Sequence, residues 1–545
     1  MRLTSSRLVL ATSAAALILA ACGGGGGDDD DDESSVSPLA ISGTASDGAA
    51  IAGSPVSIKC ATGSGTGTTG SDGRYAVNIE SARAPCVVEV TDGATKLHSV
   101  VETGTSETAT ANVTPFTELI TAQVAGGSTD DLFTDFDAAA QAKLTATNVA
   151  EARTDLAVAL EGKVDLTGFD PITTAFVVGD ANDQKLGSLT TALSEAQSTL
   201  SEFAAVLAAN PGSSAAAQTA LLPAAAGCKS LKTSPVQTIS PFGFERVMVD
   251  ATNLTTTRAD NSVQPLVDTG DCTFTHPDGT TILVSSSSIG ANRYPIGGGA
   301  FSLSFGFPEQ EIPLSDLTGT WNYVFYGRDA SNAMSPFSPA HGRFTIDAGG
   351  RQIAPGEDCI EFDLCAAGRT DGVFTVNPSG GFDYGIAGGP IEFRNFAYRA
   401  PSGTLMLFAY ANSASQTGLL VATKQVREPL PEAGTVTVFN QFTIGNAGTA
   451  GALSSNELTV TAVNASGNGS FTRTFSDGHT QTVLLNTPRD GLRRREAGSS
   501  PNSGGTPVPF NAVVQLRPQD VGLSISVSTD PAQNFFSTAV ETPTP

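Results

Sequence analysis

The chain has 545 residues, enough for roughly three or four domains, and its hydrophobic content of 40% is enough to build sizeable cores. Its formal charge of −25 has the wrong sign for a nucleic-acid binder and works against anionic membrane surfaces. Only 15% of residues are charged, while Gly, Ser and Thr abound, a balance that suits exported β-rich proteins more than cytosolic enzymes.

Arg2 and Arg7 form a short basic segment, and Val9 to Leu19 is largely apolar. That stretch is right for a signal peptide and too short to span a bilayer. It ends in Leu19-Ala20-Ala21-Cys22, which resembles the lipobox of bacterial lipoproteins. The resemblance implies a signal peptide over 1–21, cleavage before Cys22, and fatty acylation, palmitate included, of Cys22. An ordinary secretory signal with a chance cysteine is the alternative. Five glycines and five aspartates follow. Glycine is conformationally free and consecutive aspartates repel, so 22–37 reads as a flexible tether. Gly23 and Gly24 stand where an aspartate would resemble an inner-membrane retention signal, which points to outer-membrane sorting. Whether the body would face the periplasm or the exterior stays open. Loss of Arg2 and Arg7 with the signal peptide takes the formal charge to −27.

With Cys22 acylated, six cysteines remain: Cys60, Cys86, Cys228, Cys272, Cys359 and Cys365. An even number in an exported chain implies disulfides. Six cysteines allow fifteen pairings, of which sequence neighbours give Cys60–Cys86, Cys228–Cys272 and Cys359–Cys365. A zinc site is the rival, but no CxxC occurs and His98, His276, His341 and His479 are scattered.

Residues 38–113 read as short strands separated by turns: LAISGTASDG, SPVSIKC, DGRYAVNIE, PCVVEVTDG and KLHSVVE. Asp72-Gly73 supplies a turn, after which Tyr75, Val77 and Ile79 alternate toward one face. Ile41-Ser42-Gly43-Thr44, Ala52-Gly53-Ser54-Pro55-Val56 and Ser71-Asp72-Gly73-Arg74-Tyr75 make this stretch similar to the carboxypeptidase regulatory-like family. The resemblance implies a transthyretin-like β-sandwich that acts as a spacer or binding module, without peptidase activity.

Residues 114–227 change to a helical period. Thr114-Pro115 starts a helix carrying Phe116, Leu119 and Ile120, which Gly126-Gly127 stops. Asn148 followed by Glu151 predicts a cap before Leu156 and Leu160. Leu186, Leu189, Leu193, Leu200, Phe203 and Leu207 form one apolar stripe that Asn210-Pro211-Gly212 ends. The segment reads as a small helical bundle.

From 228 the period is two. Phe301, Leu303, Phe305 and Phe307 alternate with small polar residues, as do Trp321, Tyr323 and Phe325, then Phe382, Tyr384 and Ile386, then Leu523, Ile525 and Val527. Each strand is expected to have one buried and one wet face. Ala400-Pro401-Ser402-Gly403 predicts a hairpin turn. Residues 228–430 are expected to form a barrel-like antiparallel domain, and LTGTWNYVFYGR resembles the opening strand of lipocalin-like barrels. Residues 431–545 either complete that barrel or form a second β domain. A polar-Gly-x-Phe-Thr pattern recurs at 341–345, 371–375 and 468–472, with a weaker copy at 299–302, from either duplication or ordinary turn grammar.

The fold class is therefore multidomain and mainly β, with an α-helical insert between an N-terminal sandwich and a C-terminal barrel or sandwich region. GTGTTG at 65–70 matches GxGxxG but precedes a strand, so it lacks the helix N-terminus that holds a pyrophosphate. No GxSxG, GxxxxGK[ST] or HExxH occurs, and no catalytic, cofactor-binding or metal-binding residue is identified. Glu357, Asp358, Glu361 and Asp363 crowd the last cysteine pair and read as a solvated acidic loop. Arg489, Arg493, Arg494 and Arg495 form the only basic cluster of the mature chain. It is either an exposed loop without a role or, through Arg493, Arg494 and Arg495, a contact for phosphate or an acidic glycan. The expected function is a non-enzymatic binding or architectural role on the outer membrane, anchored by lipid, with a glycan or protein ligand. An envelope hydrolase of glycan or peptide and a lipocalin-like carrier of an apolar molecule are the alternatives.

Overall fold

The computed structural model describes residues 38–542 apart from 106, 333–334, 362–363, 529 and 531–533. The signal peptide, Cys22 and the tether lie outside the described residues, as does Asp363. The chain is mainly β, and among the described residues no helix is long and apolar enough to cross a membrane.

Strands 39–44, 74–79 and 108–110 make one sheet of an N-terminal sandwich, and strands 55–62, 64–68, 83–92 and 95–101 make the other. Tyr75, Val77 and Ile79 point into the shared core, as their alternation predicts. The glycines of GTGTTG belong to the strand Ser64–Thr68. A Cβ at Gly65 would lie 2.7 Å from Ile79 Cγ1, and one at Gly67 would lie 2.8 Å from Val77 Cγ2. These glycines let the two sheets close on each other. The chain carries the disulfides Cys60–Cys86, Cys228–Cys272 and Cys359–Cys365. The first and third join residues directly opposite in neighbouring strands.

The strand Arg83–Asp92 is buried on both faces, which is why PCVVEV reads as an unbroken apolar run. Val88 and Val90 face the sandwich core, while Val87 and Val100 of the next strand face a layer of helices. The first helix, Pro115–Ala125, starts at a Thr114 capping box and ends at Gly126 with φ +64°. Helix Ala146–Ala159 starts earlier than Asn148 suggests. Thr145 is its cap, and its hydroxyl accepts the Asn148 backbone N–H at 3.1 Å. The stripe from Leu186 to Leu207 is two helices, Gln184–Glu195 and Leu200–Ala209. Thr199 and Glu202 form a reciprocal capping box that starts the second helix, and Gln197 at φ +52° turns the chain between them.

Three antiparallel β units follow. Strands between 234 and 308 form a nine-stranded sheet, strands between 319 and 424 form another, and eight strands between 436 and 542 close into a barrel. The two nine-stranded sheets share one strand order: four strands run outward, five return, and the ninth pairs with the first. The polar-Gly-x-Phe-Thr pattern does not follow this duplication, because its copies fall on non-equivalent strands.

One apolar cluster joins the three units. Phe305 and Phe307 come from the first sheet, Tyr326, Tyr398 and Phe408 from the second, and Phe442, Ile525 and Phe536 from the barrel. Phe536 packs its ring against Phe305 at 6.3 Å and Tyr326 at 5.6 Å between centroids. The expectation of one buried and one wet face per strand is therefore corrected. Ser302 and Ser304 are buried too, and Ser304 lines a cavity on the other face of its sheet. Leu523, Ile525 and Val527 lie on the outside of the barrel against the shared cluster, leaving Ser526 to bond Gln515 on the inner face.

Truncating a fully buried phenylalanine costs about 3–5 kcal/mol. Phe536→Ala, in the barrel, is expected to lower the urea midpoint reported by the single tryptophan, Trp321, in the second sheet. A Trp321 fluorescence midpoint equal to the parent's would mean that the units unfold independently.

Candidate ligand cavity

The second nine-stranded sheet curls until its edge strands nearly meet, and an isolated bridge between Arg351 and Val373 spans the seam. Inside it lies a cavity of about 680 Å³, within the range usual for small-molecule sites. Alternation along Gly319–Asp329 puts Tyr323 and Phe325 inside and Val324 and Tyr326 against the shared cluster. Phe344, Phe374, Tyr384 and Phe393 continue the lining as a row of rings, with neighbouring centroids 4.8 to 6.1 Å apart.

Two glycines make room for the tyrosines. Gly342 lies directly opposite Tyr323, and a Cβ there would sit 2.5 Å from the ring. A Cβ at Gly372 would sit 2.5 Å from the Tyr384 ring. This explains the Gly-x-Phe spacing at 341–345 and 371–375: the glycine admits a ring from the next strand, and the phenylalanine two positions on shares that interior. In the copies at 299 and 469 the glycine has positive φ and makes a turn.

Polar groups stand at fixed points among the rings. The Tyr323 hydroxyl donates to Asp358 Oδ1 at 2.5 Å, and the Tyr384 hydroxyl donates to Gln352 Oε1. Burial, then the Asp358 carboxylate, holds the Tyr323 phenol well above its usual pKa. Burial pushes Tyr384 up to about 12. Both phenols are thus hydroxyl donors at neutral pH. Arg369 bonds Glu392 at 2.5 Å and Asp371 at 3.0 Å. Ile360 and Ile391 line the cavity and are 67% and 55% exposed, which makes an apolar mouth. The first sheet encloses a smaller space of about 310 Å³ whose lining includes Thr238, Asn292, Tyr294 and Ser304.

The acidic residues near the last disulfide are not one solvated loop. Glu357 and Asp358 sit on the strand Gln352–Cys359, and Glu357 accepts from Arg343 at 2.8 Å and Arg489 at 2.7 Å. The structure places Arg493, Arg494 and Arg495 on the barrel strand Leu492–Arg495, not on an open loop. Arg493 is buried and forks onto Glu428, with Nε 2.9 Å from both carboxylate oxygens. Arg495 donates to Gln481 Oε1 at 2.7 Å, an oxygen that also accepts from Arg473 at 2.8 Å. Arg494 pairs with Glu496 at 2.6 Å. Arg489 reaches out of the barrel to His341 Nδ1 of the second sheet at 3.2 Å. Sequence reading missed the cavity residues as a set, because they come from eight strands; the only local trace was glycine placed two residues before phenylalanine.

These features define an antiparallel β-barrel protein with an aromatic internal cavity. No family model and no curated protein matches the chain. Among solved structures it is similar to a candidate outer membrane protein of Bacteroides fragilis NCTC 9343, at 10% identity over 42% of this chain and 99% of that one, with a TM-score of 0.14. It is also similar to a protein of unknown function from Nostoc punctiforme PCC 73102, at 9% identity over 43% and 100%, TM-score 0.15. A third is the isotype 1 transferrin binding protein B of serogroup B Neisseria meningitidis, at 8% identity over 55% and 58%, TM-score 0.18. At such TM-scores these likenesses carry no argument, and the functional reading rests on this chain's own residues.

His341 gives the joint between the second sheet and the barrel a pH dependence. It is fully buried, and burial first, then Arg489, lowers its pKa to about 4. An unfolded histidine titrates near 6.5, so the unfolded chain takes up a proton that the folded chain resists. The stability this contributes is present above about pH 6.5 and is lost as pH falls toward 4, at up to about 1.4 kcal/mol per unit. His341→Gln is expected to flatten that part of the urea-midpoint curve against pH. A slope equal to the parent's would place the dependence elsewhere.

Proposed function

We propose that this chain is an exported, lipid-anchored, non-enzymatic binding protein of the outer membrane that holds a small, largely apolar molecule inside its second β unit. The observation that carries the reading is the aromatic cavity with Ile360 and Ile391 exposed at its mouth. Exposed isoleucines beside a lined cavity give an apolar ligand an entry that costs little desolvation. The buried phenols and the Arg369–Glu392 pair would orient a polar end of that ligand. Acylation at Cys22 and the 22–37 tether would hold the body near the membrane. Three disulfides suit the oxidising side of that membrane. The N-terminal sandwich, similar in sequence to carboxypeptidase regulatory-like domains, would serve as a spacer.

The cavity is tested with the apolar fluorophore N-phenyl-1-naphthylamine. The protein is expected to bind it with a fluorescence rise, and Ala340→Phe, which fills the cavity wall, is expected to weaken binding about tenfold or more. Equal affinity in the variant would reject the cavity as the site. The anchor is tested separately by metabolic palmitate labelling. The parent should take label and fractionate with the membrane, and Cys22→Ser should do neither; a Cys22→Ser chain that stays membrane-bound would reject lipid anchoring.

A further inference from the structure

The interface between the sandwich and the helices gathers a second group of residues that the cavity does not use. Glu89 and His98 are directly opposite each other on strands 83–92 and 95–101, on the face that carries Val87 and Val100 toward the helices. Helix 115–125 brings Glu118, and the short helix Thr129–Thr134 brings Asp130. His98 is 1% exposed. Its Nδ1 bonds Glu118 Oε2 at 3.0 Å, while Glu118 also accepts the His98 backbone N–H at 2.6 Å and the Thr129 hydroxyl at 2.5 Å. The ring is thereby fixed with Nε2 aimed outward. That nitrogen is buried and has no hydrogen-bond partner. It lies 3.4 Å from Glu89 Oε2 and 3.7 Å from Asp130 Oδ1.

We propose that Glu89, His98 and Asp130 form a three-ligand site for a divalent transition-metal ion, zinc being the best fit, with the fourth position open to water. In a tetrahedral site with bonds of about 2.0–2.1 Å the ligand atoms stand about 3.3–3.4 Å apart, whereas octahedral neighbours at the same bond length stand about 3.0 Å apart. The His98 spacings of 3.4 and 3.7 Å leave room for such an ion, and one imidazole with two carboxylates is a donor set that zinc takes. A carboxylate that holds the far nitrogen of a ligating histidine, as Glu118 does, orients the ring and raises its basicity. Asp130 is 58% exposed, so the site has a path to solvent. Lys96 Nζ stands 3.0 Å from Glu89 Oε2 and 3.5 Å from Asp130 Oδ1. Its ammonium supplies the positive charge there in the metal-free chain and must swing aside when an ion enters. The half-exposed Lys96 side chain can do so. Because two ligands come from the sandwich and one from a helix, the ion also clips the two layers together.

The test is a titration of the chelator-stripped full-length protein with Zn²⁺ by calorimetry, with Co²⁺ as a spectroscopic probe. One site is expected, with the intense visible absorption of four-coordinate Co²⁺. Asp130→Asn changes a surface side chain and should leave the fold intact; it is expected to weaken binding about tenfold or more and to remove that absorption. Lys96→Met should tighten binding by removing the competing ammonium. Absence of a stoichiometric site would overturn the proposal. So would Zn²⁺ affinity unchanged in Asp130→Asn, which would place the ion elsewhere, as on the Asp28–Asp32 run.

Discussion

Burial of one apolar cluster between three β units is the constraint on which the rest of the fold depends. Phe305, Phe307, Tyr326, Phe408, Phe442 and Phe536 meet there from three separate sheets. A single curled sheet hides one face of each strand. Here the outer face is hidden as well, so strands such as 319–329 are buried through most of their length. Both faces then carry information, and the inner face is free to be something other than a packed core.

Each unit uses that freedom differently. The first sheet turns Thr238, Asn292 and Ser304 inward beside Val236, Ile282 and Val284, around a small space of mixed lining. The second turns rings inward, and Gly342 and Gly372 leave volume between them. The barrel turns Arg473, Arg493, Arg495 and Gln481 inward, and Glu428 from the preceding linker enters to neutralise Arg493. Breaking such a buried pair by removing one partner costs about 3–5 kcal/mol. Arg493 meets a carboxylate there, whereas Arg473 and Arg495 share the Gln481 amide oxygen. Arg489 lies at the joint with the second sheet, between Glu357 and His341.

In the N-terminal sandwich, two-sided burial of strand 83–92 has a similar result. Val88 and Val90 serve the sandwich, Val87 serves the helices, and Glu89 follows Val87 onto the helical side. A carboxylate carried there by alternation needs a partner, and Lys96 on the adjacent strand supplies one at 3.0 Å. Three of the four histidines, His98, His276 and His341, find side-chain partners on other elements, whereas His479 bonds Asp477 two residues away.

The period of the sequence determined element type. Alternation gave the strands, a 3.6-residue stripe gave the helices, and Thr114, Gly126 and Asn210 marked helix ends because capping is a local interaction. Two helix boundaries were misplaced, at Thr145 and at Thr199–Glu202, where a nearby hydroxyl captured the backbone donor ahead of the residue that looked best. Alternation could not say which face was inside. Ser524, Ser526 and Ser528 read as wet, yet they line a barrel, since period two is the same for a strand packed from outside or from within. The cavity, the Arg493–Glu428 pair and the Glu89–His98–Asp130 group were decided by tertiary structure alone. Each joins residues from different elements, and their proximity is fixed by how sheets curl and stack, around the shared cluster for the first two and against the helices for the third, which leaves no trace in the order of residues along the chain.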